Sequence, residues 1–367
     1  MKRVYLSHFK HLLPPTKGEQ NALNSWVMRS HKRSAELMGE SADWEKLQKY
    51  FVSSDSIQTR YSFSRDLDRD WKDCDIYALT PDNPRGMDIQ KRADFFQLQA
   101  LQSFETLYPA SAPLPDHLVH VTCTGYVSPS APQRVFANLE HSPAITHAYH
   151  MGCYASLPAL RTAKALVKSE DFNLVDVVHT EMCSLHMQSH VHTAEQMIVQ
   201  SLFADGVIKY QLSTTKPTAG FEVLFVHEKL VPDSAGDMTW IPSSHGMMMS
   251  LTREVPTKIA LGLSGFIEEV CEKLSMDWDD LKNNSLFAIH PGGPKILDLA
   301  GDLLQAEPDQ LKASKEILKE HGNMSSATLP HIWERMLREE TKREYVLSLA
   351  FGPGLTIIGS VMRRVRA

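Results

Sequence analysis

Short apolar runs alternate with amphipathic segments along most of the chain. In the middle of the chain, three apolar runs predict strands, and two segments with helical spacing lie between them. The strands are expected at residues 118–124, 174–179 and 206–213, and the helices at residues 160–168 and 194–202. This alternation is typical of a mixed α/β sheet.

A second round of the same pattern follows. Its predicted strands are residues 221–228, 286–290, 345–351 and 356–361, and its predicted helices are residues 255–271, 294–304 and 327–338. Two α/β rounds in one chain predict a duplicated architecture with a boundary between residues 213 and 220. We therefore expect an N-terminal half, residues 1–215, and a C-terminal half, residues 216–367.

The pattern before the first round is less regular. Residues 16–50 have helical spacing with interleaved charges, whereas residues 54–92 are polar and rich in Asp and Arg. We predict that residues 54–92 form loops and short helices around an exposed surface. The basic start is followed by an apolar run that His8, Lys10 and His11 interrupt, which is untypical of a signal peptide.

Composition narrows the classes of protein that remain. Hydrophobic residues are 43% and charged residues 22% of the 367 residues, so the chain has the apolar area to fold. A net charge of −6 gives no basic footprint for nucleic acid. The longest apolar runs are far shorter than the roughly 20 residues that cross a bilayer. Five scattered cysteines argue against a disulfide framework and favour a reducing cytoplasm.

Cys153 is the first residue with a pattern that suggests chemistry. It follows Gly152 and precedes a helical pattern in which Pro158 fits near the first turn. Free N–H groups at a helix N-terminus stabilise a thiolate and lower its pKa. A buried, inert thiol is the commoner state of a single cysteine, and position alone does not exclude it.

His290 and Asn323 lie at two other special turns. His290 ends a predicted strand and is followed by Pro-Gly-Gly-Pro, which forces a tight turn and places the imidazole beside a cleft. A purely structural histidine is equally compatible with this position. Asn323 lies in the sequence HGNMSSA and has the features of a helix N-cap. Its amide could instead donate to a ligand carbonyl.

Together these three side chains suit acyl transfer from a thioester, followed by formation of a carbon–carbon bond. The thiolate would take the acyl group. The imidazole and the amide would hold the carbonyl oxygen of a second thioester, whose decarboxylation builds enolate charge on that oxygen.

The order of motifs makes a family resemblance plain. They are GC at 152–153, LFADG at 202–206, HPGGP at 290–294, GNMSSA at 322–327 and FGPGLT at 351–356. In these motifs the sequence resembles type III polyketide synthases, the chalcone-synthase-like branch of the thiolase superfamily. The resemblance covers about residues 118–365, and the first 115 residues match only loosely.

The resemblance implies a five-layered αβαβα thiolase sandwich built from two duplicated halves, usually as a homodimer. It implies that Cys153 is the acyl-carrying nucleophile and that His290 and Asn323 form the oxyanion site, with His290 also sustaining the thiolate. Acyl thioesters of coenzyme A or phosphopantetheine would be the substrates. No other cofactor and no metal are expected.

The resemblance also implies a set of pocket residues. Phe203 would be an aromatic gatekeeper, and Gly352 and Pro353 would belong to a loop that shapes the cavity. Where plant chalcone synthases place a second gatekeeper phenylalanine, this chain has Met249, a more flexible side chain that would open a channel.

Near residue 60 the family usually has clustered Lys and Arg that grip coenzyme A phosphates. This chain keeps Arg60 and lacks the lysines. Arg60 is therefore the predicted contact for coenzyme A or a carrier, and an acyl carrier protein becomes a plausible donor.

The histidine-rich segment at residues 179–192 invites a metal hypothesis, but its C-x2-H and H-x3-H spacings are weak signals. The family resemblance gives a better interpretation. Glu181 matches a cavity-adjacent glutamate that could act as a base during cyclisation, and His186 replaces a small pocket residue. For Glu181, an ion pair at a helix or dimer edge is an equal alternative.

The sequence thus predicts a condensing acyltransferase that joins the chain on Cys153 to a malonyl- or β-ketoacyl-thioester. Cyclisation would release a pyrone or a resorcinol-type ring. One alternative is a stand-alone ketosynthase that joins two carrier-bound chains into an α-pyrone. Another is a non-catalytic partner subunit of the same fold, against which the intact Cys153, His290 and Asn323 argue.

Overall fold

The structure, a computed structural model, describes residues 2–366. The strands of the first part are β1 (Tyr5–Leu12), β2 (Thr16–Glu19), β3 (Thr59–Ser62), β4 (His117–Thr122), β5 (Ala144–Tyr149), β6 (Leu174–Met182) and β7 (Asp205–Ser213). The later strands are β8 (Gly220–Leu230), β9 (Met238–Ser243), β10 (Gly246–Leu251), β11 (Ser285–Ile289), β12 (Tyr345–Gly352) and β13 (Thr356–Val365).

The helices pack on both sides of these strands. They are α1 (Gln20–Met38), α2 (Trp44–Gln48), α3 (Ile89–Leu107), α4 (Ala131–Phe136), α5 (Ser156–Lys168), α6 (Ala194–Leu202), α7 (Val255–Leu274), α8 (Trp278–Asn283), α9 (Pro294–Leu303), α10 (Lys312–His321) and α11 (Thr328–Met336). Short 3₁₀ turns lie at residues 66–68, 71–73, 183–186 and 325–327.

Nine strands form one hydrogen-bonded sheet in the order β11-β12-β13-β8-β1-β7-β6-β4-β5. β1 pairs with β7 and, through Tyr5 and Leu6, also with β8, so it joins the strands of the two rounds. β4 is parallel to β5 and β6, β11 is parallel to β12, and the other neighbours are antiparallel. Two small hairpins, β2–β3 and β9–β10, lie outside this sheet.

The strands bury both faces, which produces layers. In β11, Leu286 and Ala288 point into a central core with α5 and α11, whereas Phe287 and Ile289 point into an outer core with α7 and α9. The N-terminal strands alternate in the same way. In β4, Leu118 packs with α1 and α3, whereas Val119 and Val121 pack in the central core. The alternation follows from the two-residue period of a strand. Strands from both rounds of the single sheet cover α5 and α11, and outer helices cover the opposite faces of these strands. The layers therefore run helix, sheet, helix, sheet, helix, which confirms the predicted five-layered sandwich.

The central helices are buried on nearly every side. Trp333 of α11 is fully buried, and its Nε1–H donates to Ser348 Oγ at 2.9 Å, so the indole leaves no polar atom unsatisfied. Replacing such a core tryptophan by alanine typically costs about 3–5 kcal/mol. This packing fixes the ends of α5 and α11, where two of the predicted site residues lie.

The predicted strands and helices of both rounds are present within a few residues of their expected bounds. Residues 54–92 form mainly loops and short 3₁₀ turns, as predicted, but part of the segment is buried. The buried Asp66 explains how a polar segment is accommodated. Its carboxylate accepts the backbone N–H groups of Asp75, Ile76 and Tyr77 at 2.7–2.9 Å.

Several elements lie outside the sequence predictions: β1, α3, β5, α10 and the β9–β10 hairpin. The helical spacing expected from residue 16 begins at Gln20, after β2. The division at residues 215 and 216 stays a prediction. Within residues 2–366, none of the helices is both long and apolar enough to span a membrane.

Candidate active site

Cys153 lies in the turn that leads into α5. Gly152 has φ +81°, in the left-handed region that favours glycine, and a Cβ there would lie 3.0 Å from Pro353 Cδ. A Cβ on Gly352 would lie 1.9 Å from Tyr154 Cδ1. The glycines on both sides therefore let the loop after β12 pack directly on the turn of Cys153. Gly352 and Pro353 therefore lie close to the thiol, and their role in shaping a substrate pocket stays a prediction.

His290 follows the end of β11 and is almost fully buried. Its backbone N–H donates to Leu349 O at 2.8 Å, which extends the parallel pairing with β12 by one residue. Neither ring nitrogen has a hydrogen-bond partner among the described residues. Buried imidazole nitrogens are normally paired, so this ring is free to meet a ligand.

Asn323 lies just before the 3₁₀ turn that leads into α11. Its backbone N–H donates to Leu202 O at 3.0 Å, and its C=O accepts from Ala204 N at 2.8 Å, so it is paired with the turn around Phe203. Its Oδ1 accepts from Ser325 N at 2.9 Å, while its Nδ2 has no partner among the described residues. The oxygen stabilises the turn, but the predicted N-cap was wrong, because Ala327 is the N-cap of α11. Donation from the Asn323 amide to a ligand stays a prediction.

A cavity of about 520 Å³ brings these residues together. Its wall includes Cys153, His290 and Asn323, together with Phe203 and Met249. The structure thus places a thiol, a free imidazole and a free amide donor around one space, as the sequence predicted.

Burial determines the protonation of the two reactive groups. Burial raises the pKa of the Cys153 thiol to about 12, although the neighbouring side chains of Ser325 and Asn323 act in the opposite direction. Burial lowers the pKa of His290 to about 3. The expectation that the helix N-terminus lowers the pKa of Cys153 was wrong, since α5 begins only at Ser156 and desolvation outweighs its influence.

Phe203 and Met249 separate two cavities. Both contribute to the 520 Å³ cavity and to a second cavity of about 90 Å³ that lies among β3, α1 and α6. Met247 and Met249 are buried on one face of β10, whereas Met248 is half-exposed. Phe203 and Met249 therefore line both cavities, and their role as gatekeepers stays a prediction.

Arg60 does not lie on the surface, which argues against its predicted contact with coenzyme A or a carrier. Only 7% of the residue is exposed. Its Nη1 donates to the backbone oxygens of Gln200 and Phe203 at 2.9 and 2.7 Å, and its Nε donates to Gln20 Oε1 at 2.8 Å. Arg60 thus anchors the segment that carries Phe203.

Glu181 is buried in β6. Among residues 2–366 it forms no ion pair, and it does not line either of the cavities described above. Its carboxylate accepts from Cys123 N at 3.0 Å, from Thr124 Oγ1 at 2.9 Å and from Ser326 Oγ. Burial raises its pKa. The ion-pair alternative was therefore wrong, and Glu181 lies one layer behind the cavity rather than in its wall.

His186 contributes to the wall of the smaller cavity, but both of its ring nitrogens are used. Nε2–H donates to Thr124 O at 2.8 Å, and Nδ1 accepts from Met247 N at 3.0 Å. Burial lowers the pKa of this ring to about 3, which keeps it neutral. Its contacts join the end of β4 to the β9–β10 hairpin.

Two lysines at the larger cavity were missed by sequence reasoning. Lys49 follows α2, and Lys295 lies in the first turn of α9; both are exposed residues of the cavity wall. Lys295 directly follows the HPGGP motif, which was a usable signal, whereas nothing local marks Lys49. Among residues 2–366 no group of three or more Cys, His, Asp or Glu side chains is arranged for a metal ion.

Comparison with known proteins agrees with this geometry. Residues 222–366 match the family model for the C-terminal domain of chalcone and stilbene synthases. The probable polyketide synthase 1 of Dictyostelium discoideum is 30% identical over 256 residues, which are 68% of this chain and 8% of that protein. The C-terminal part of this chain therefore belongs to the chalcone and stilbene synthase family.

Solved structures show the same fold. The C-terminal type III polyketide synthase domain of Steely1, a type I/III hybrid from Dictyostelium, superposes with a TM-score of 0.77 at 24% identity, covering 99% of each chain. PKS-I from the brown alga Ectocarpus siliculosus superposes with a TM-score of 0.84 at 20% identity, covering 100% of each chain. The chain spans only about 8% of the length of the curated Dictyostelium relative.

Proposed function

We propose that this chain is a type III polyketide synthase that loads an acyl chain on Cys153 and extends it by Claisen condensation. The observation that carries the proposal is the cavity in which the Cys153 thiol faces two buried side chains with unused polar atoms, His290 and Asn323. A non-catalytic subunit has no need of such unsatisfied donors, because each one costs stability.

Loading begins with the proton of Cys153. Burial disfavours a lone thiolate and a lone imidazolium, so the two charges are expected to form together when Sγ passes its proton to His290. The thiolate attacks the carbonyl carbon of an acyl thioester, and the carbon–sulfur bond to the carrier thiol breaks. The departing thiolate takes the proton back from His290, which leaves the acyl group on Cys153.

Condensation uses the same two side chains as an oxyanion site. A malonyl thioester loses carbon dioxide, and its electron pair becomes an enolate on the thioester carbonyl. N–H groups of His290 and Asn323 would donate to that oxygen. The enolate carbon then attacks the acyl carbon on Cys153, and the Cys153 thiolate leaves. With a β-ketoacyl thioester as the nucleophile, as in the alternative ketosynthase reaction, loss of a proton replaces loss of carbon dioxide.

Release of the chain is proposed to occur by cyclisation. An enol oxygen that attacks the terminal thioester gives a pyrone, and a carbon nucleophile gives a resorcinol-type ring. Glu181 would influence this step through Ser326, Thr124 and Cys123, since its carboxylate contacts these residues and not the cavity itself.

Intact-protein mass spectrometry with a panel of acyl thioesters tests the proposal, because the mass of the adduct identifies the starter. Loading is expected on the native protein and on the control Cys271→Ala, but not on Cys153→Ala. An adduct of equal yield on Cys153→Ala would refute the assignment of the nucleophile. Equal reactivity of Cys153 and Cys123 toward a thiol label would favour the non-catalytic alternative.

We further propose that Lys49 and Lys295 receive the anionic part of the donor. Both are exposed, and neither forms an ion pair with another described residue. Carrier proteins are acidic, and surface charge accelerates docking mainly at low salt, since screening acts over roughly 10 Å at 0.1 M.

The donor proposal predicts faster loading from an acyl carrier protein than from the matching coenzyme A ester, with a preference that shrinks as salt is raised. Replacing both lysines by Glu should remove the preference, whereas Lys216→Glu, an exposed charge in the β7–β8 loop, should not. Equal and salt-insensitive rates from both donors would favour free coenzyme A esters.

A homodimer is also proposed. It is supported by β5, which ends the sheet with one unpaired edge, and by Tyr126 beside it, which is 41% exposed. Light scattering coupled to size-exclusion chromatography should give about twice the monomer mass of 41.4 kDa. A single species at the monomer mass would contradict this.

A further inference from the structure

The cavity of about 90 Å³ behind Phe203 and Met249 is a second space next to the proposed site of condensation. Its wall is mainly apolar, with Leu23, Trp26 and Val199 from α1 and α6. An apolar space that shares two gate residues with the active-site cavity is well suited to the far end of a chain attached to Cys153.

Arg60, one residue of this wall, has a hydrogen-bond donor that is not used. Arg60 is buried, and three of its N–H groups are used by Gln20, Gln200 and Phe203, but its Nη2 has no partner among the described residues. A guanidinium nitrogen can only donate, so the missing partner must be an acceptor. Buried donors without acceptors are rare in folded proteins and often mark a site for a ligand or a water.

The surrounding protein does not satisfy this charge. No carboxylate of residues 2–366 forms an ion pair with Arg60, and the nearby Asp205 already accepts from Phe63 N, Ser184 N and Ser184 Oγ at 2.7–2.8 Å. A partially compensated cation in an apolar wall favours an oxygen acceptor over hydrocarbon.

We propose that the smaller cavity binds the distal end of the acyl chain on Cys153, and that this end carries an oxygen that accepts from Arg60. The cavity of about 90 Å³ has room for an end group of a few non-hydrogen atoms. An acetyl group and a carboxylate both have three such atoms with one or two acceptors. The preferred starter is therefore an oxygenated chain rather than a plain fatty acyl chain.

This inference rests on the proposed loading of Cys153, and one experiment separates the two. Acyl N-acetylcysteamine thioesters of several lengths are compared in matched sets that end in acetyl, carboxylate or isopropyl. The three ends have equal numbers of heavy atoms, and only the isopropyl end lacks an acceptor. Loading of Cys153 is followed by intact-protein mass spectrometry.

At the length that spans the two cavities, the oxygenated ends should load with a kcat/KM on the order of tenfold to hundredfold above isopropyl, as expected for one hydrogen bond from a charged donor. A preference for carboxylate or for acetyl tells the two chemistries apart. Equal loading rates for all three ends at every length would overturn the inference. If a water molecule alone satisfies the free donor of Arg60, the rates will also be equal, and the inference is overturned in the same way. If no thioester loads, the proposed function itself fails.

Two variants locate the preference without changing Arg60. Leu23→Phe adds a ring to the wall of the smaller cavity and should abolish the preference by blocking entry of the chain end. Leu261→Phe makes the same change at a residue that is 76% exposed and should leave the preference unchanged. An unchanged preference in Leu23→Phe would place the recognition elsewhere and refute the inference.

Discussion

Replacing His290 by Gln tests how the buried thiol becomes reactive. Glutamine removes the proton acceptor for Cys153 and keeps a polar side chain of similar size. Without an imidazolium beside it, the thiol is left with the pKa that burial imposes, which is about 12. Because this pKa lies about five units above pH 7, the thiolate would be about 10⁻⁵ of the population.

The pH dependence of alkylation reports this difference. In His290→Gln, the rate at Cys153 should rise about tenfold for each pH unit, or about a thousandfold between pH 6 and 9. In the native protein the thiolate forms together with an imidazolium. The alkylation rate at Cys153 should therefore change by less than about tenfold between pH 6 and 9. We therefore expect the native rate at pH 7 to exceed that of the variant by at least about a hundredfold.

Iodoacetamide labelling, with the modified peptide identified by mass spectrometry, gives both profiles. Cys271 is the internal control, because it is half-buried and lies in the wall of a separate cavity beside α7. Its profile should be the same in both proteins. Parallel profiles for Cys153 in the native protein and the variant would refute the proton transfer to His290.

Three further predictions concern neighbouring residues. Asn323→Ala should still load an acyl chain but should release carbon dioxide from a malonyl thioester on the order of 10²–10³ more slowly, and an unchanged rate would exclude the donor role. Met249→Phe should reduce the loading of long starters more than that of short ones; equal losses with a lower Tm would indicate packing alone. Gly352→Ala should lower both Tm and the loading rate, because a Cβ would lie 1.9 Å from Tyr154 Cδ1, whereas Gly236→Ala meets no atom within 4 Å and should change neither.

Local signals in the sequence were enough for the three proposed catalytic residues. Each lies at a turn that glycine, proline or a run of small residues marks, and the strands and helices that lead into these turns have regular apolar periods. The apolar periods predicted a mixed α/β sheet in two rounds, whereas the five-layered arrangement was predicted from the family resemblance.

Arg60 shows what local reasoning could not reach. In the sequence it lies among Ser, Asp, Gln and Thr, which indicates an exposed loop. Its burial depends on backbone oxygens at residues 200 and 203, which are about 140 residues away in the chain. Glu181 was misplaced in the same way, because the donors that satisfy it come from β4 and from the turn before α11. Hydrogen bonds between residues that are far apart in the chain leave no periodic pattern in the sequence.

The backbone, rather than the side chains, holds the proposed site in place. His290 is fixed by its N–H bond to Leu349 O, and Asn323 by its bonds to Leu202 O and Ala204 N. Because the main chain supplies this rigidity, the imidazole nitrogens and the Asn323 Nδ2 remain uncommitted beside the cavity that Cys153 also lines. Fixed donors of this kind need no reorganisation during the reaction, which is the main source of stabilisation for a developing oxyanion. Arg60 extends the same principle to the gate: by holding the oxygens of Gln200 and Phe203, it couples the position of Phe203 to that of Asn323, since the two residues share one β-bridge.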